Sequence, residues 1–160
     1  MTARQKLPST WWEALRKLYN SMDQLHLKII TPKKVVVDED VYSVNAPASE
    51  GVITVLPHHE HLFTLLAEGV VKIRRSKEGT DEDYLAIGGG YLETDGKNLN
   101  ILVSRAYGQD EIDEEFTKKA MAEAEKILRE TKNDGERHEA AATMRKAIID
   151  MKLIKRKRRV

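Results

Sequence analysis

The side chains that most readily suggest chemistry are three histidines within four residues, His58, His59 and His61. Imidazole binds zinc and transfers protons near neutral pH. The spacing is poor for a metal, however, because the segment follows Pro57 and no Asp or Cys lies nearby in the sequence to complete a tetrahedral set. We therefore predict an exposed polar contact loop here, and a hydrolase that uses this cluster is the weakest of the functional alternatives.

Three consecutive glycines, residues 88–90, invite comparison with loops that bind phosphate. The run lacks the Gly-Lys-Ser/Thr ending of a P-loop, and no helix start follows it. A strand bend or bulge, where two backbones come close, explains the glycines better. The acidic runs at 38–40 and 81–83 bound turns, where carboxylates are usually solvated. We therefore predict no catalytic residue, no metal and no cofactor.

The composition is that of a soluble, charge-rich globular chain of 160 residues, with 41% apolar and 33% charged residues. The net charge of +1 gives no overall electrostatic case for binding nucleic acid. Cysteine is absent, which excludes disulfides and thiolate chemistry, and no apolar run reaches the roughly 18 residues of a membrane span.

Six of the eight residues from Lys152 to Arg159 are basic. That run is either a solvated helix end or a contact for an acidic protein, a nucleic acid or a membrane surface.

Residues from Leu25 to about Tyr107 show the pattern of many short β-strands separated by Gly and Pro. Leu99, Ile101 and Val103 fall on one face by the two-residue period of a strand. The segment 95–98 before them, Asp-Gly-Lys-Asn, has the composition of a hairpin turn. The sequence therefore predicts a β-sandwich or barrel.

Two strand ends are predicted from single residue types. The acids at 38–40 are expected to follow the end of the strand at 35–37. Pro47 is expected to end the strand that begins at Val41, because proline lacks the N–H of a ladder hydrogen bond.

At Gly108 the periodicity changes to that of a helix. From Asp110 to about Thr131 the chain contains no Gly or Pro, and Asp110 is the predicted N-cap. Gly135 is the predicted left-handed cap between this helix and a second one, from about Glu136 to Lys155. The predicted inner stripe of the first helix is Ile112, Phe116, Ala120, Ala124, Ile127 and Leu128, and that of the second is Ala141, Met144, Ile148 and Met151.

So short a connection predicts that the two helices lie antiparallel. Their inner stripes are rich in Ala and Met, and alanine buries little apolar area, which is worth roughly 25 cal/mol per Å². We therefore predict a weakly held hairpin that can leave the β domain, with Gly108 and Gly135 as hinges. The predicted domains are an N-terminal extension at 1–23, a β-sandwich at 24–107, and a helical hairpin with a basic tail at 108–160.

The extension carries a short amphipathic helix that includes Trp11 and Leu15. This helix is expected to pack on its own domain, to lie on a membrane surface, or to contact a partner.

Several motifs, by their order and spacing, resemble the epsilon subunit of F-type ATP synthases, which is called delta in mitochondria. No single motif is decisive, but the set is specific and covers about residues 25–155. The motifs are Glu50-Gly51 before a hydrophobic strand, Leu56-Pro57-x-His59, Gly69-Val70-Val71-Lys72-Ile73, Gly89-Gly90-Tyr91-Leu92-Glu93, and Asn98-Leu99-x-Ile101-Leu102 followed by Ala106.

The resemblance implies an N-terminal β-sandwich and a C-terminal antiparallel two-helix hairpin in a non-catalytic subunit of the central rotor stalk. Such subunits bind gamma and the ring of c subunits, and they help to transmit torque between proton flow and ATP synthesis. The implied location is peripheral, at the cytoplasmic face of a bacterial plasma membrane, with chloroplast and mitochondrial membranes as alternatives. The partner loop that reaches the c ring corresponds to Glu50, Gly51, Val52, Pro57, His58, His59 and His61.

In bacteria and chloroplasts the hairpin of such subunits can extend along gamma toward the alpha/beta catalytic head and inhibit ATP hydrolysis. The resemblance therefore implies that basic residues of the second helix contact the head. These residues are Arg145, Lys146, Lys152, Lys155 and Arg156.

The chain departs from the family pattern at three places. Members commonly have Pro-Gly-His-Ala-Pro where this chain has Pro57-His58-His59-Glu60-His61, and an acid where this chain has Val52. Some members bind ATP through Ile/Leu-Asp-x-x-Arg-Ala, whose last two residues are replaced here by Phe116 and Thr117. Without that cation, and with acids close by, a triphosphate is repelled, so we predict no tight ATP binding.

The main alternative is a free-standing β-sandwich module whose basic tail docks on an acidic protein or a nucleic acid. Binding to DNA or RNA with a steep salt dependence would favour this alternative. Co-purification with gamma and c subunits would favour the rotor subunit.

Overall fold

A computed structural model of the chain describes residues 23–77 and 81–157, together with Trp11 and Leu15. The extension predicted over residues 1–23 therefore lies almost entirely outside the described residues. The strands are β1 (Leu25–Ile30), β2 (Val35–Val41), β3 (Ser43–Ala48), β4 (Gly51–Val55), β5 (Leu62–Leu66), β6 (Gly69–Arg74), β7 (Glu82–Ile87), β8 (Gly90–Thr94), β9 (Asn98–Val103) and β10 (Ala106–Tyr107). A 3-10 turn (Gln109–Glu111) and two helices, α1 (Glu114–Glu130) and α2 (Asp134–Lys157), follow.

The strands form one sheet in the order β10-β7-β6-β3-β5-β8-β9-β1-β2, and β4 pairs with β3 beside this path. Every described pairing is antiparallel except that of β1 with β9, in which Leu27 lies opposite Leu99. The sheet folds over on itself, and the Tyr42 N–H between β2 and β3 donates to the Arg74 carbonyl of β6 at 2.8 Å. The predicted β-sandwich followed by a helical pair is confirmed.

The core of the sandwich consists of alternate residues from the strands. In β1 and β9 every second side chain is buried, so the predicted inner face of Leu99, Ile101 and Val103 is confirmed. Each fully buried aliphatic side chain stabilises the fold by roughly 1.5–3 kcal/mol. The buried cluster comprises Leu25, Leu27, Ile29, Val41, Val44, Ala46, Val55, Leu66, Val71, Ile73, Leu85, Ile87, Leu92, Leu99, Ile101 and Val103.

Both strand ends predicted from single residue types are wrong. β2 continues through the acids at 38–40, because it is an edge strand on which carboxylates reach solvent and cations. β3 continues through Pro47 to Ala48. The Pro47 carbonyl still accepts from the Ala67 N–H at 2.8 Å, and Gly69 leaves room for the proline ring, since a Cβ at Gly69 would lie 2.9 Å from Pro47 Cγ.

The glycines at 88–90 separate β7 from β8, in agreement with the predicted bend. Gly90 lies where two backbones come close, because a Cβ there would be 2.0 Å from the Leu102 carbonyl oxygen of β9. Gly96 has φ +87° in the turn between β8 and β9. The predicted hairpin is therefore confirmed.

The predicted helix caps are wrong. Asp110 lies in the 3-10 turn, and the chain is extended at Ile112 before Asp113 caps α1 by accepting from the Phe116 N–H at 2.9 Å. α1 ends at Glu130 without a left-handed residue. Because α2 begins already at Asp134, Gly135 lies in its first turn rather than in a cap.

The predicted inner stripes are also partly wrong. Phe116 is 70% exposed, and Thr117 is buried in its place. Ile148 of α2 is exposed. α2 buries one face against α1 and another against the sheet, and Ile148 lies on neither of them. The small residues Ala120, Ala124 and Ala140 line the groove between the helices, in agreement with the alanine-rich contact that was predicted.

Candidate functional site

The partner loop predicted from the sequence consists of two separate turns. Glu50 and Gly51 lie at the turn between β3 and β4, where Gly51 has φ +138°. Residues 57–61 follow the other end of β4, so the two turns are about 13 Å apart along a strand that rises roughly 3.3 Å per residue. Val52, next to the first turn, is 73% exposed. Contact of either turn with a ring of c subunits stays a prediction.

The second turn is held in a defined conformation by its own backbone. His58 has φ +64°, a left-handed conformation that favours glycine. The His58 N–H donates to the Gly96 carbonyl at 2.7 Å, and the His59 N–H donates to the Leu56 carbonyl at 3.1 Å. The His59 Nδ1–H donates to the Glu60 carbonyl at 2.8 Å. These hydrogen bonds therefore hold the turn with His58, a non-glycine residue, in the left-handed conformation.

The turn between β8 and β9 contacts the second turn, residues 57–61. A Cβ at Gly96 would lie 2.5 Å from the His59 carbonyl oxygen, so the two turns are in close contact. The Asp95 carboxylate accepts from the backbone N–H of Asn98 at 2.6 Å and of Lys97 at 2.8 Å. These hydrogen bonds lower the pKa of Asp95 to about 2. The Asp95 carboxylate is therefore ionised, and able to accept both hydrogen bonds, over the physiological pH range.

An outer apolar face, formed by Phe63, Leu65 and Tyr91, covers the solvent side of β5 and β8. Phe63 and Leu65 are 64% and 61% exposed, and Leu65 lies opposite Tyr91 in the sheet. The Phe63 and Tyr91 rings are 5.4 Å apart between centroids. Large apolar side chains grouped on a surface mark a site of protein contact.

Sequence reasoning missed this face, although β5 carries a signal that could have found it. A strand with one side in water alternates apolar and polar residues. β5 reads Leu-Phe-Thr-Leu-Leu and is apolar on both sides, while its burial still alternates. The excess apolar residues Phe63 and Leu65 are those on the solvent side.

The second candidate surface is the contact between α2 and the sandwich. Ile149 and Leu153 pack on Ala86 of β7. Asp150, only 6% exposed, accepts from the Tyr107 hydroxyl at 2.6 Å. Burial, followed by this hydrogen bond to a carboxylate, raises the pKa of Tyr107 far above its ordinary value. α2 is therefore fixed on the sheet by an apolar contact and a buried polar pair.

Two of the five predicted head-contact residues take part in this contact. The Lys146 ammonium lies 5.9 Å from the centre of the Tyr107 ring, and the Arg156 guanidinium lies 5.4 Å from the centre of the Tyr84 ring. All five, including Arg145, Lys152 and Lys155, are exposed on α2. Of the predicted hinges, Gly108 is extended and precedes the 3-10 turn.

A cleft of about 920 Å³ opens between the helical pair and the sandwich, and both residues of the altered ATP motif line it. The structure brings Lys33, Lys34, Arg105 and Lys146 to the same cleft. These cations are offset by acids, since Glu68 pairs with Arg105 at 3.5 Å and Glu111, Asp113 and Asp150 also line the cleft.

Within residues 23–77 and 81–157, no three His, Asp or Glu side chains are grouped so that they could hold a metal ion. Neither α1 nor α2 has the length and apolar character needed to cross a membrane.

Comparison with known proteins gives one consistent result. Residues 24–109, more than half of the chain, match the family described as the ATP synthase delta/epsilon chain, beta-sandwich domain. The ATP synthase epsilon chain of Moorella thermoacetica is 38% identical over 131 residues, which cover 82% of this chain and 96% of that one.

Solved structures share the fold. A chain of the Euglena gracilis mitochondrial ATP synthase, solved as OSCP, F1 and c-ring, matches with a TM-score of 0.62 at 21% identity, covering 97% of this chain and 96% of that one. A chain of the Tetrahymena thermophila mitochondrial ATP synthase, solved as central stalk and c-ring, matches with a TM-score of 0.57 at 15% identity, covering 80% and 94%. On the extent and identity of the sequence matches, the chain belongs to the family of ATP synthase delta and epsilon chains.

Proposed function

We propose that this chain, an epsilon-type subunit of the F-type ATP synthase and a component of its central stalk, is a non-catalytic coupler between gamma and the c ring. The observation that carries the proposal is the outer apolar face of Phe63, Leu65 and Tyr91 on a rigid sandwich. A rotor subunit must transmit torque through fixed surfaces, and this one has an exposed aromatic pair, Phe63 and Tyr91, on two adjacent strands.

The outer apolar face is the proposed contact for gamma. Aromatic side chains bury about 150–250 Å² each, and residues of this type contribute most of the binding energy in protein interfaces. The face lies on hydrogen-bonded strands, so little conformational entropy is lost when it is covered.

The two turns at the ends of β4 are the proposed contacts for the c ring. The first presents Glu50 and the exposed Val52, and the second presents the histidines of residues 58–61. The chain is then peripheral to the membrane, and its proposed location is the cytoplasmic face of a bacterial plasma membrane. No role for nucleic acid is proposed.

The test of the gamma contact is a binding measurement with purified gamma. Replacing Phe63 and Leu65 by Ser is expected to weaken binding by at least about 30-fold, the effect of losing one interface hot spot of about 2 kcal/mol. Phe116→Ser is the matched control, because Phe116 is equally exposed but lies on α1. Unchanged affinity of the Phe63→Ser, Leu65→Ser variant would overturn the assignment of this face.

A second proposed role is inhibition of ATP hydrolysis by the helical pair when it leaves the sandwich. The cations that would meet acidic segments of the alpha/beta head are exposed on α2, and they are Arg145, Lys146, Lys152, Lys155 and Arg156. Exposed ion pairs contribute about 0–1 kcal/mol each, so several are needed together. Deleting residues 136–160 is expected to raise hydrolysis by the reconstituted complex, and no change would refute this role.

Tight ATP binding is not part of the proposal. The acids of the cleft offset its cations, and Phe116 and Thr117 stand where some family members have Arg and Ala. Titration calorimetry of the isolated chain is expected to give no strong heat of ATP binding. Strong binding independent of magnesium would contradict the expectation.

A further inference from the structure

We propose that Tyr107 and Asp150, together with Tyr84, form a latch that holds α2 on the sandwich. This inference deepens the proposed inhibitory role, because it concerns the release of the same helical pair. Its first test needs only the isolated chain.

The contact between the helical pair and the sandwich is narrow. Ile149 and Leu153 are the α2 members of the buried cluster with Ala86, and Val70, Tyr84, Tyr107 and Ile112 surround that cluster. The main core of the sandwich contains no residue of α1 or α2 among those described. Separation of the helical pair therefore leaves that core intact, and a few side chains decide whether α2 stays docked.

Asp150 is the polar centre of this contact. Its carboxylate is almost fully buried in the docked state and accepts from the Tyr107 hydroxyl at 2.6 Å. A buried carboxylate costs a large desolvation free energy unless it is hydrogen-bonded. Removing the hydroxyl alone therefore favours release of α2, because Asp150 regains water when the helix leaves.

The same tyrosines hold two cations of α2. Lys146 lies over the Tyr107 ring and Arg156 over the Tyr84 ring. The Tyr84 hydroxyl donates to Glu82 at 2.6 Å, and Glu82 also binds Lys72, so Tyr84 is fixed in place. A cation over an aromatic ring gains about 0.5–1 kcal/mol at an exposed site. The two cation–ring contacts therefore add to the stability of the docked state and are lost when α2 leaves the sandwich.

The test is hydrogen exchange of the full isolated chain, followed by mass spectrometry of peptides from α2. Tyr107→Phe is expected to reduce the protection of residues 144–157 by on the order of tenfold, the effect of leaving one charged acceptor unpaired. Exchange in β1 and β9 is expected to stay as in the wild type. Tyr42→Phe is the matched control, because Tyr42 faces Arg74 on the sandwich, and it is expected to leave α2 unchanged.

A double variant separates the latch from a simple loss of packing. Tyr107→Phe combined with Asp150→Leu removes both polar partners, and replacing both by apolar groups is nearly neutral where removing one is not. Protection of α2 is therefore expected to return to the wild-type level in the double variant. Equal protection in Tyr107→Phe and Tyr42→Phe, additive losses in the double variant, or an equal rise of exchange in β1 and β9 would each overturn the latch.

The effect of Tyr107→Phe on ATP hydrolysis by the complex is measured separately from its effect on the docking of α2. If Tyr107→Phe loosens α2 but leaves hydrolysis by the reconstituted complex unchanged, the latch stands and the inhibitory role fails. If α2 is not loosened, the latch fails whatever the complex does.

Discussion

At the scale of single residues, His58 is a non-glycine residue in a backbone conformation that usually requires glycine. Its φ of +64° lies in the left-handed region, which costs a non-glycine residue roughly 1–2 kcal/mol. Two backbone hydrogen bonds, from His58 to Gly96 and from His59 to Leu56, hold the strained turn.

We expect His58→Gly to stabilise the chain by about 0.5–1 kcal/mol, because the relief of left-handed strain exceeds the extra entropy of glycine in the unfolded chain. Urea unfolding measures the change. His61→Gly serves as control, since His61 does not have positive φ and only the entropic cost remains. Destabilisation by both substitutions would show that the turn is not strained.

His26 links the first two strands through charge. Its Nε2 lies 2.9 Å from an Asp38 oxygen and its Nδ1 lies 2.7 Å from an Asp40 oxygen, while Lys28 binds Asp38 at 3.2 Å. A neutral imidazole has one N–H, so only the protonated ring donates to both carboxylates. These hydrogen bonds raise the pKa of His26, with the bond to Asp40 the largest cause.

The raised pKa of His26 predicts a pH-dependent stability. Its contribution is fully present below the unfolded pKa of about 6.5 and is lost as the pH rises through the higher folded value. The difference in unfolding free energy between wild type and His26→Gln should therefore shrink from pH about 5 to about 9. His138→Gln is the control for removal of a histidine, because the His138 side chain is exposed on α2. A constant difference across this range would contradict the prediction.

At the scale of elements, the order of strands and helices follows from the sequence, but several boundaries do not. Predictions from single residue types failed where a residue distant in the sequence offsets the cost of placing an acid or a proline in a strand. The acids of β2 pair with His26 and Lys28 of β1 and with Arg75, which follows β6, and the Pro47 ring fits against Gly69. The periodic residues of Ala-rich helices do not show which of two faces is buried, so Phe116 was placed on the wrong side.

We expect Gly90→Ala to destabilise the sandwich by about 1–3 kcal/mol, because the added methyl forces β8 and β9 apart. Gly89→Ala is the neighbouring control, since its nearest atom would be at an ordinary 3.6 Å. Chemical denaturation of both variants measures the contrast. Equal effects would show that the cost comes from glycine loss in general rather than from the close approach.

At the scale of the whole molecule, sequence reasoning placed the candidate site only in part. The sequence predicts a partner loop and a set of basic residues on α2, but it does not predict their arrangement. The two turns are separated by β4, and the outer apolar face lies on strands that come together only after folding. Pairing between distant strands cannot be read from one sequence, which is why Phe63, Leu65 and Tyr91 were not grouped.

The two parts of the molecule are expected to differ in local stability. α1 and α2 bury mainly alanine against each other, whereas the sandwich buries sixteen core residues. Backbone amides of the helices should therefore exchange with solvent hydrogen faster than those of β1 and β9. Hydrogen exchange of the intact chain measures this ordering, and equal protection would show that the helical pair is as firmly held as the sandwich.

The parallel pairing of β1 with β9 has a consequence for biosynthesis. Leu27 meets Leu99 across a loop of about seventy residues, a long-range contact of the kind that slows folding. While the chain emerges from the ribosome, β1 can pair with β2, but its other edge stays open until residue 103 has been made. A strand made late, β9, thus shields the first, and the nascent chain carries an unpaired edge for most of its synthesis.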